Sequence, residues 1–142
     1  DRQTDRHRYT HRLTTKNRLK ACEVMEFLGI STLADVDMGT LSFGQKKLLD
    51  LGTVLMADPD LILLDEPAAG INLRLLEDII NKLVTLKNQG KTILLIEHNM
   101  DLVMGISDEV IVMSAGIIIA QGKPSEIQKN AKVLEAYLGS KA

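Results

Sequence analysis

The stretch LILLDEPAAG, residues 61–70, decides the fold. Leu61, Ile62, Leu63 and Leu64 make a short continuous apolar run, the pattern of a strand covered on both faces. At its end Asp65 and Glu66 stand side by side. Adjacent carboxylates are poorly suited to a core, where an ionised group loses its hydration, and well suited to a metal and a water. In phosphoryl transfer, an aliphatic strand ending in Asp supplies a Mg2+ contact, usually through water. A carboxylate beside it orients or deprotonates the attacking water. Asp65 fits the first role and Glu66 the second. Taken alone, the string equally fits a buried strand that has simply reached solvent.

Working outward, LSFGQKKLLDLGTVLM opens with Ser42 and Gln45 at the spacing of a capping box. A helix is predicted from near Phe43, with a broad apolar face of Leu48, Leu49, Leu51, Val54 and Leu55, ended by Asp58-Pro59-Asp60. Residues 73–88 give the clearest helix, with Leu76, Ile79, Ile80, Leu83 and Leu86 on one side and Gly90 as its stop. TILLIEH reads as a second buried strand and MDLVMGISD as a short helix. EVIVM and IIIAQ are strands joined by Ser-Ala-Gly, a hairpin signal, and Pro124 opens a polar-faced helix before VLEAYLG. Ahead of all this, periodicity begins at Arg18, with Ala21, Val24, Met25 and Leu28 on one face and Gly29 as a stop. Strands separated by helices of this length imply an α/β fold: a parallel sheet with crossover helices, to which the C-terminal β-hairpin adds antiparallel strands.

The spacing of three motifs narrows the reading. Gln45 lies twenty positions before Asp65, and His98 lies thirty-two after Glu66 at the end of the next apolar strand. In this order and at these spacings, LSFGQ, LILLDEP and IEH resemble the nucleotide-binding domain of the ABC ATPases: its signature motif, its Walker B with catalytic Glu, and its switch His. The resemblance implies a partial P-loop NTPase fold, including part of the helical subdomain. It implies that Ser42, Phe43, Gly44 and Gln45 face the ATP of a partner subunit, that Asp65 meets Mg2+ via water, and that Glu66 and His98 are catalytic. Ala69-Gly70-Ile71-Asn72 corresponds to the D-loop, used at the dimer interface.

Elementary chemistry is compatible with each part. A helix N-terminus presents free N–H groups and partial positive charge to a phosphate, and Ser42 adds a hydroxyl; pure capping would use the same hydroxyl. His98 can donate to a phosphate oxygen or to the attacking water. Three positions depart from the family: Phe43 stands where Gly is usual, and Asn72 and Asn99 where many members carry Asp.

DEPAAGIN, LLIEHNMDLVMGISD and GKPSEIQKNAKVLEAYLG resemble more closely the ATP-binding subunits of branched-chain amino acid importers. That match runs from about residue 20 to the end; residues 1–17 match no part of the pattern. The implied partners are a second ABC ATPase subunit, in a homo- or heterodimer, and membrane permease subunits, with the chain on the cytoplasmic face of the cell membrane. No nucleic acid is expected.

A phosphate loop needs G-x-x-x-x-G-K-[ST] between a strand and a helix. Gly90-Lys91-Thr92 is the nearest approach, but Thr85 stands where the first Gly belongs, and the triplet follows a helix and leads into a strand. The sequence therefore reads as a C-terminal portion of such a domain, residues 18–142, able to complete a partner's site but without a cradle of its own. Its strands LILLD and TILLIEH are then expected to expose apolar faces, leaving the chain poorly stable or self-associating through that surface.

Composition bounds the alternatives. Hydrophobic residues make up 45% and aromatic residues 3% of 142, so aliphatic packing carries the core and a base-stacking platform is disfavoured. Residues 1–20 hold seven Lys/Arg against two Asp, while the remainder holds ten against seventeen Asp/Glu. The basic leader, residues 1–17, reads as a solvated and partly disordered arm, or as a contact for nucleic acid or anionic lipid. His7 and His11 lack a third ligand at matching spacing, and Asp35 and Asp37 fit a solvated loop. The single cysteine, Cys22, excludes an internal disulfide. Two alternatives stand beside this reading: a soluble ABC-type ATPase acting on nucleic acid or ribosomes, against which the low aromatic content and the importer-like tail count, and a non-catalytic interaction fragment, which the missing phosphate loop predicts for this chain alone.

Overall fold

The computed structural model describes residues 14–138. His7, His11 and most of the basic leader lie outside the described residues. The chain forms two compact units. One takes the residues up to Ile62 with Gly70–Thr92, and the other takes Leu63–Ala69 with the residues from Ile93 on.

The first unit opens with α1 (Thr15–Leu28). This helix starts before the apolar periodicity does. The Thr14 hydroxyl accepts the Asn17 N–H at 3.3 Å, so a cap rather than an apolar stripe fixes the start. Gly29 ends the helix at φ 72°, where a left-handed turn lets the Ile30 N–H reach the Met25 carbonyl at 2.9 Å. Two short 3-10 turns, Ser31–Leu33 and Met38–Thr40, lead to α2 (Phe43–Met56). Leu48, Leu51, Gly52 and Leu55 form its buried face, one stripe at helical spacing. Val54 lies outside that stripe and is exposed, so the face is narrower than the sequence suggests. Gly52 permits the approach of α1: a Cβ there would stand 3.0 Å from Leu28 Cδ1.

α3 (Leu73–Asn88) buries Ile79, Leu83 and Leu86, and Asn72 Oδ1 caps it by accepting the Leu75 N–H at 2.9 Å. It is the crossover between β1 (Leu61–Asp65) and β2 (Thr92–Ile96), which form a two-stranded sheet. The Thr92 N–H meets the Asp60 carbonyl at 2.8 Å at one end, and the Glu66 N–H meets the Ile96 carbonyl at 2.9 Å at the other. Strand starts pair with starts and ends with ends, so the pair is parallel. The strands are not covered on both faces, as an apolar run alone suggests, but expose apolar side chains, as expected of strands without their covering elements. Ile62 alone in β1 is buried, and Leu63, Leu94 and Ile96 are 65%, 53% and 60% exposed.

In the second unit, α4 (Met100–Ile106) follows β2. The antiparallel hairpin of β3 (Val110–Ser114) and β4 (Ile117–Gly122) comes next. Ala115 and Gly116, at φ 48° and 78°, make the two-residue turn whose twist matches the strands. α5 (Pro124–Ile127) is a single turn, shorter than the sequence suggests, and α6 (Ala131–Leu138) follows. Val110, Val112, Ile127 and Val133 form the core here, with Met100, Val103, Met104, Ile119 and Ala120 packed against it. Among the described residues no helix is long and apolar enough to cross a membrane.

Lys91 Nζ lies 2.8 Å from Asp58 Oδ1, closing the α2–β1 connection onto the α3–β2 connection. The Lys91 hydrogen bond, then its charge and that of Lys20, hold the Asp58 carboxyl below the usual carboxylate range. A depressed native pKa adds stability that is complete above the unfolded value, about 3.9, and is lost as pH falls through the native one. Urea midpoints should therefore carry an acid-limb component below about pH 4 that Lys91→Met removes. Because Asp58 is largely exposed the component is small, and an equal Lys91→Met effect at pH 3 and pH 6 would contradict it.

Candidate functional site

In the second unit the carboxylate and imidazole singled out in the sequence meet. Glu66 follows the last residue of β1 and His98 stands two residues past β2. Glu66 Oε1 lies 3.3 Å from His98 Nδ1, and both side chains are more than half exposed. A proton on Nδ1 is donated to the carboxylate, which leaves Nε2 as an acceptor; the imidazolium donates from both nitrogens. The pair can therefore hold or pass one proton at the end of the two strands while facing solvent.

Backbone geometry places Glu66. Its φ is 45°, a left-handed value that side-chain-bearing residues seldom adopt. The Ile96 carbonyl receives its N–H at 2.9 Å, and its own carbonyl takes the Ala69 N–H at 3.1 Å. Glu97, which the sequence reading passed over, joins this arrangement: Oε1 accepts the Ala68 N–H at 2.8 Å and Oε2 the His98 N–H at 3.2 Å. The available signal was a carboxylate ending the apolar run of TILLI.

Asp65 is exposed at the strand end. Among the described residues no three His, Cys, Asp or Glu side chains converge as a metal cage. A Mg2+ at Asp65 would draw its other ligands from water and phosphate, which is how this hard cation is commonly held.

The residues that resemble the signature, and residues 70–72 of the D-loop-like stretch, belong to the first unit, while Ala69 belongs to the second. The Ser42 hydroxyl accepts the Gln45 N–H at 3.3 Å, and Gln45 Oε1 accepts the Ser42 N–H at 2.8 Å, so the capping box is closed. Phe43 is 58% exposed, and Lys47 Nζ stands 5.5 Å from its ring centre. The ring covers Gly70, where a Cβ would come within 3.0 Å of Phe43 Cε1. Gly44 faces Leu75, whose side chain a Cβ at 44 would overlap. Gly70 at φ 72° and Leu75 in the first turn of α3 thus meet the start of α2, contacts not visible in either motif. Gly90-Lys91-Thr92 runs from a helix end into β2 with its ammonium on Asp58, the arrangement expected of a connector.

A family model described as ABC transporter matches residues 2–69. A second, described as branched-chain amino acid ATP-binding cassette transporter, matches residues 118–142. The first match begins at residue 2, so the leader without a recognised counterpart falls inside it. A probable branched-chain amino acid transport ATP-binding protein LivG of Archaeoglobus fulgidus is 40% identical over 121 residues, covering 85% of this chain and 47% of that protein. Its namesake from Methanocaldococcus jannaschii is 44% identical over 124 residues, covering 84% and 48%. The high-affinity LivG of Escherichia coli K12 is 37% identical over 121 residues. The chain spans about half the length of the curated relatives it matches. Among solved structures, the ADP conformation of MJ1267, an ATP-binding cassette of an ABC transporter, superposes with a TM-score of 0.79 at 40% identity, over 88% of this chain and 51% of that one. A nucleotide-free cassette from an ABC transporter gives 0.80 at 39% identity, over 89% and 51%.

Proposed function

We propose that this chain belongs to the ATP-binding domains of ABC transporters and serves an ATP-hydrolysing subunit of a branched-chain amino acid importer. The observation carrying this reading is the Glu66–His98 pair, a carboxylate and an imidazole 3.3 Å apart and open to solvent at adjacent strand ends. Glu66 orients and deprotonates the attacking water, and His98 contacts the transferred phosphoryl group or that water. Asp65 would hold Mg2+ through water, and the ion would supply charge neutralisation at the phosphates. Ser42, Phe43, Gly44 and Gln45 present a helix N-terminus to ATP seated on a second ABC ATPase subunit, and Asn72 sits at the interface with that subunit. Permease subunits anchor the assembly on the cytoplasmic face of the membrane. The names of the relatives support the substrate class.

In this assignment the phosphate cradle is not made by Gly90-Lys91-Thr92, whose lysine is engaged with Asp58. Titration calorimetry of Mg-ATP into this chain alone is expected to show no stoichiometric binding at millimolar nucleotide. Saturable one-to-one binding would show that this chain holds phosphate itself, and the assignment of a cradle elsewhere would fall.

A further inference from the structure

Glu97 lies on the more buried side of β2's continuation, alternating with the exposed Ile96 and His98. A carboxylate there needs partners, and it has two backbone N–H groups. The Ala68 N–H, twenty-nine residues away in the turn after β1, reaches Oε1 at 2.8 Å, and the His98 N–H reaches Oε2 at 3.2 Å. Glu66 is thereby fixed on both sides: before it by the bond of its N–H to Ile96, and after it by Glu97's hold on Ala68. Its left-handed φ of 45° persists only where the surroundings over-determine it, and these two bonds do so. The same carboxylate sets the peptide that carries His98.

We propose that Glu97 is a positioning residue that holds Glu66 and His98 within reach of one another by bridging the Ala68 and His98 amides. The proposal rests on the reading of Glu66 and His98 as the working pair. It explains why a carboxylate ends an otherwise aliphatic strand directly before the histidine.

The test uses the full chain, isotopically labelled, in the parent and in Glu97→Gln and Glu97→Ala, each with and without Glu66→Gln. Amide hydrogen exchange at Ala68 and His98 reads the bridge. The displacement of the His98 ring Cε1 resonance on Glu66→Gln reads the coupling between the pair, which a merely stabilising role would not alter in a folded variant. Glu97→Ala is expected to speed exchange at both amides at least about tenfold, relative to the Asn99–Leu102 cap as internal control, and to reduce the Cε1 displacement to less than half. Glu97→Gln keeps the shape but only one acceptor, so it is expected to unprotect one of the two amides and remains decisive if the Ala variant does not fold. Unchanged exchange in Glu97→Gln, a full Cε1 displacement without Glu97, or none in the parent would each overturn the proposal. None of these readouts needs nucleotide, so a failure here leaves the ATPase assignment standing, and failure of that assignment leaves the bridge measurable.

Discussion

Glu66→Gln is expected to lower ATP turnover at least about 100-fold in a cassette pair whose subunits carry this chain together with a phosphate-binding loop, the usual reach of a positioned general base. Glutamine fills the same volume and Glu66 is exposed, so melting temperature and KM for ATP should barely change. What is lost is the ability to accept a proton; the amide oxygen can still accept from His98 Nδ1, but as a neutral rather than a charged partner. His98→Ala should cost a similar factor. If the two side chains act as a unit, as proposed, the double variant is expected to be within about threefold of the worse single one. Steady-state hydrolysis at saturating ATP decides the matter: a Glu66→Gln pair retaining more than about a tenth of parental turnover would remove Glu66 from the chemistry.

Ile127→Ala is expected to destabilise the second unit by about 3 kcal/mol, the middle of the range for truncating a buried large aliphatic residue. Ile127 is 1% exposed and packs with Val110, Val112 and Val133. It also anchors α5, a single turn too short to persist without tertiary contact. Its loss leaves a cavity and frees the segment between the hairpin and α6. Ile117→Ala, at an exposed position beside the same hairpin turn, should cost under about 0.5 kcal/mol. Urea denaturation of both variants at equal protein concentration provides the comparison, and equal midpoints would show that this cluster does not limit stability.

Local signals in the sequence translated well. Ser42 and Gln45 close the capping box their spacing announces, and residues 73–88 form one helix with the expected stripe. Ser-Ala-Gly turns the hairpin. These features depend on residues within a few positions of each other, where backbone chemistry dominates. What the sequence concealed depends on neighbours far along the chain. The run Leu61, Ile62, Leu63 and Leu64 is apolar at every position, so its composition cannot say which side chains are covered, and only Ile62 is buried. The start of α1 among polar residues rests on the Thr14 cap alone. Within the site, Asp65, Glu66 and His98 stood out by type and spacing. Glu97 did not, because its two partners are backbone groups and one is twenty-nine residues away. Phe43 read as a departure from a glycine pattern, and its contact with Gly70 was equally hidden.

The exposed row of Leu63, Leu94 and Ile96 has a consequence for what stability means in this chain. Apolar area left open in the folded state is worth roughly 25 cal/mol per Å2 to any surface that covers it. Coverage available only to the folded form feeds back on folding by mass action, adding about 2.7 kcal/mol when the covering species is present at a hundred times its dissociation constant. If a second copy is the covering species, the melting temperature becomes a function of how much protein is in the tube. Two preparations with identical internal contacts would then unfold at different temperatures, the more concentrated one later.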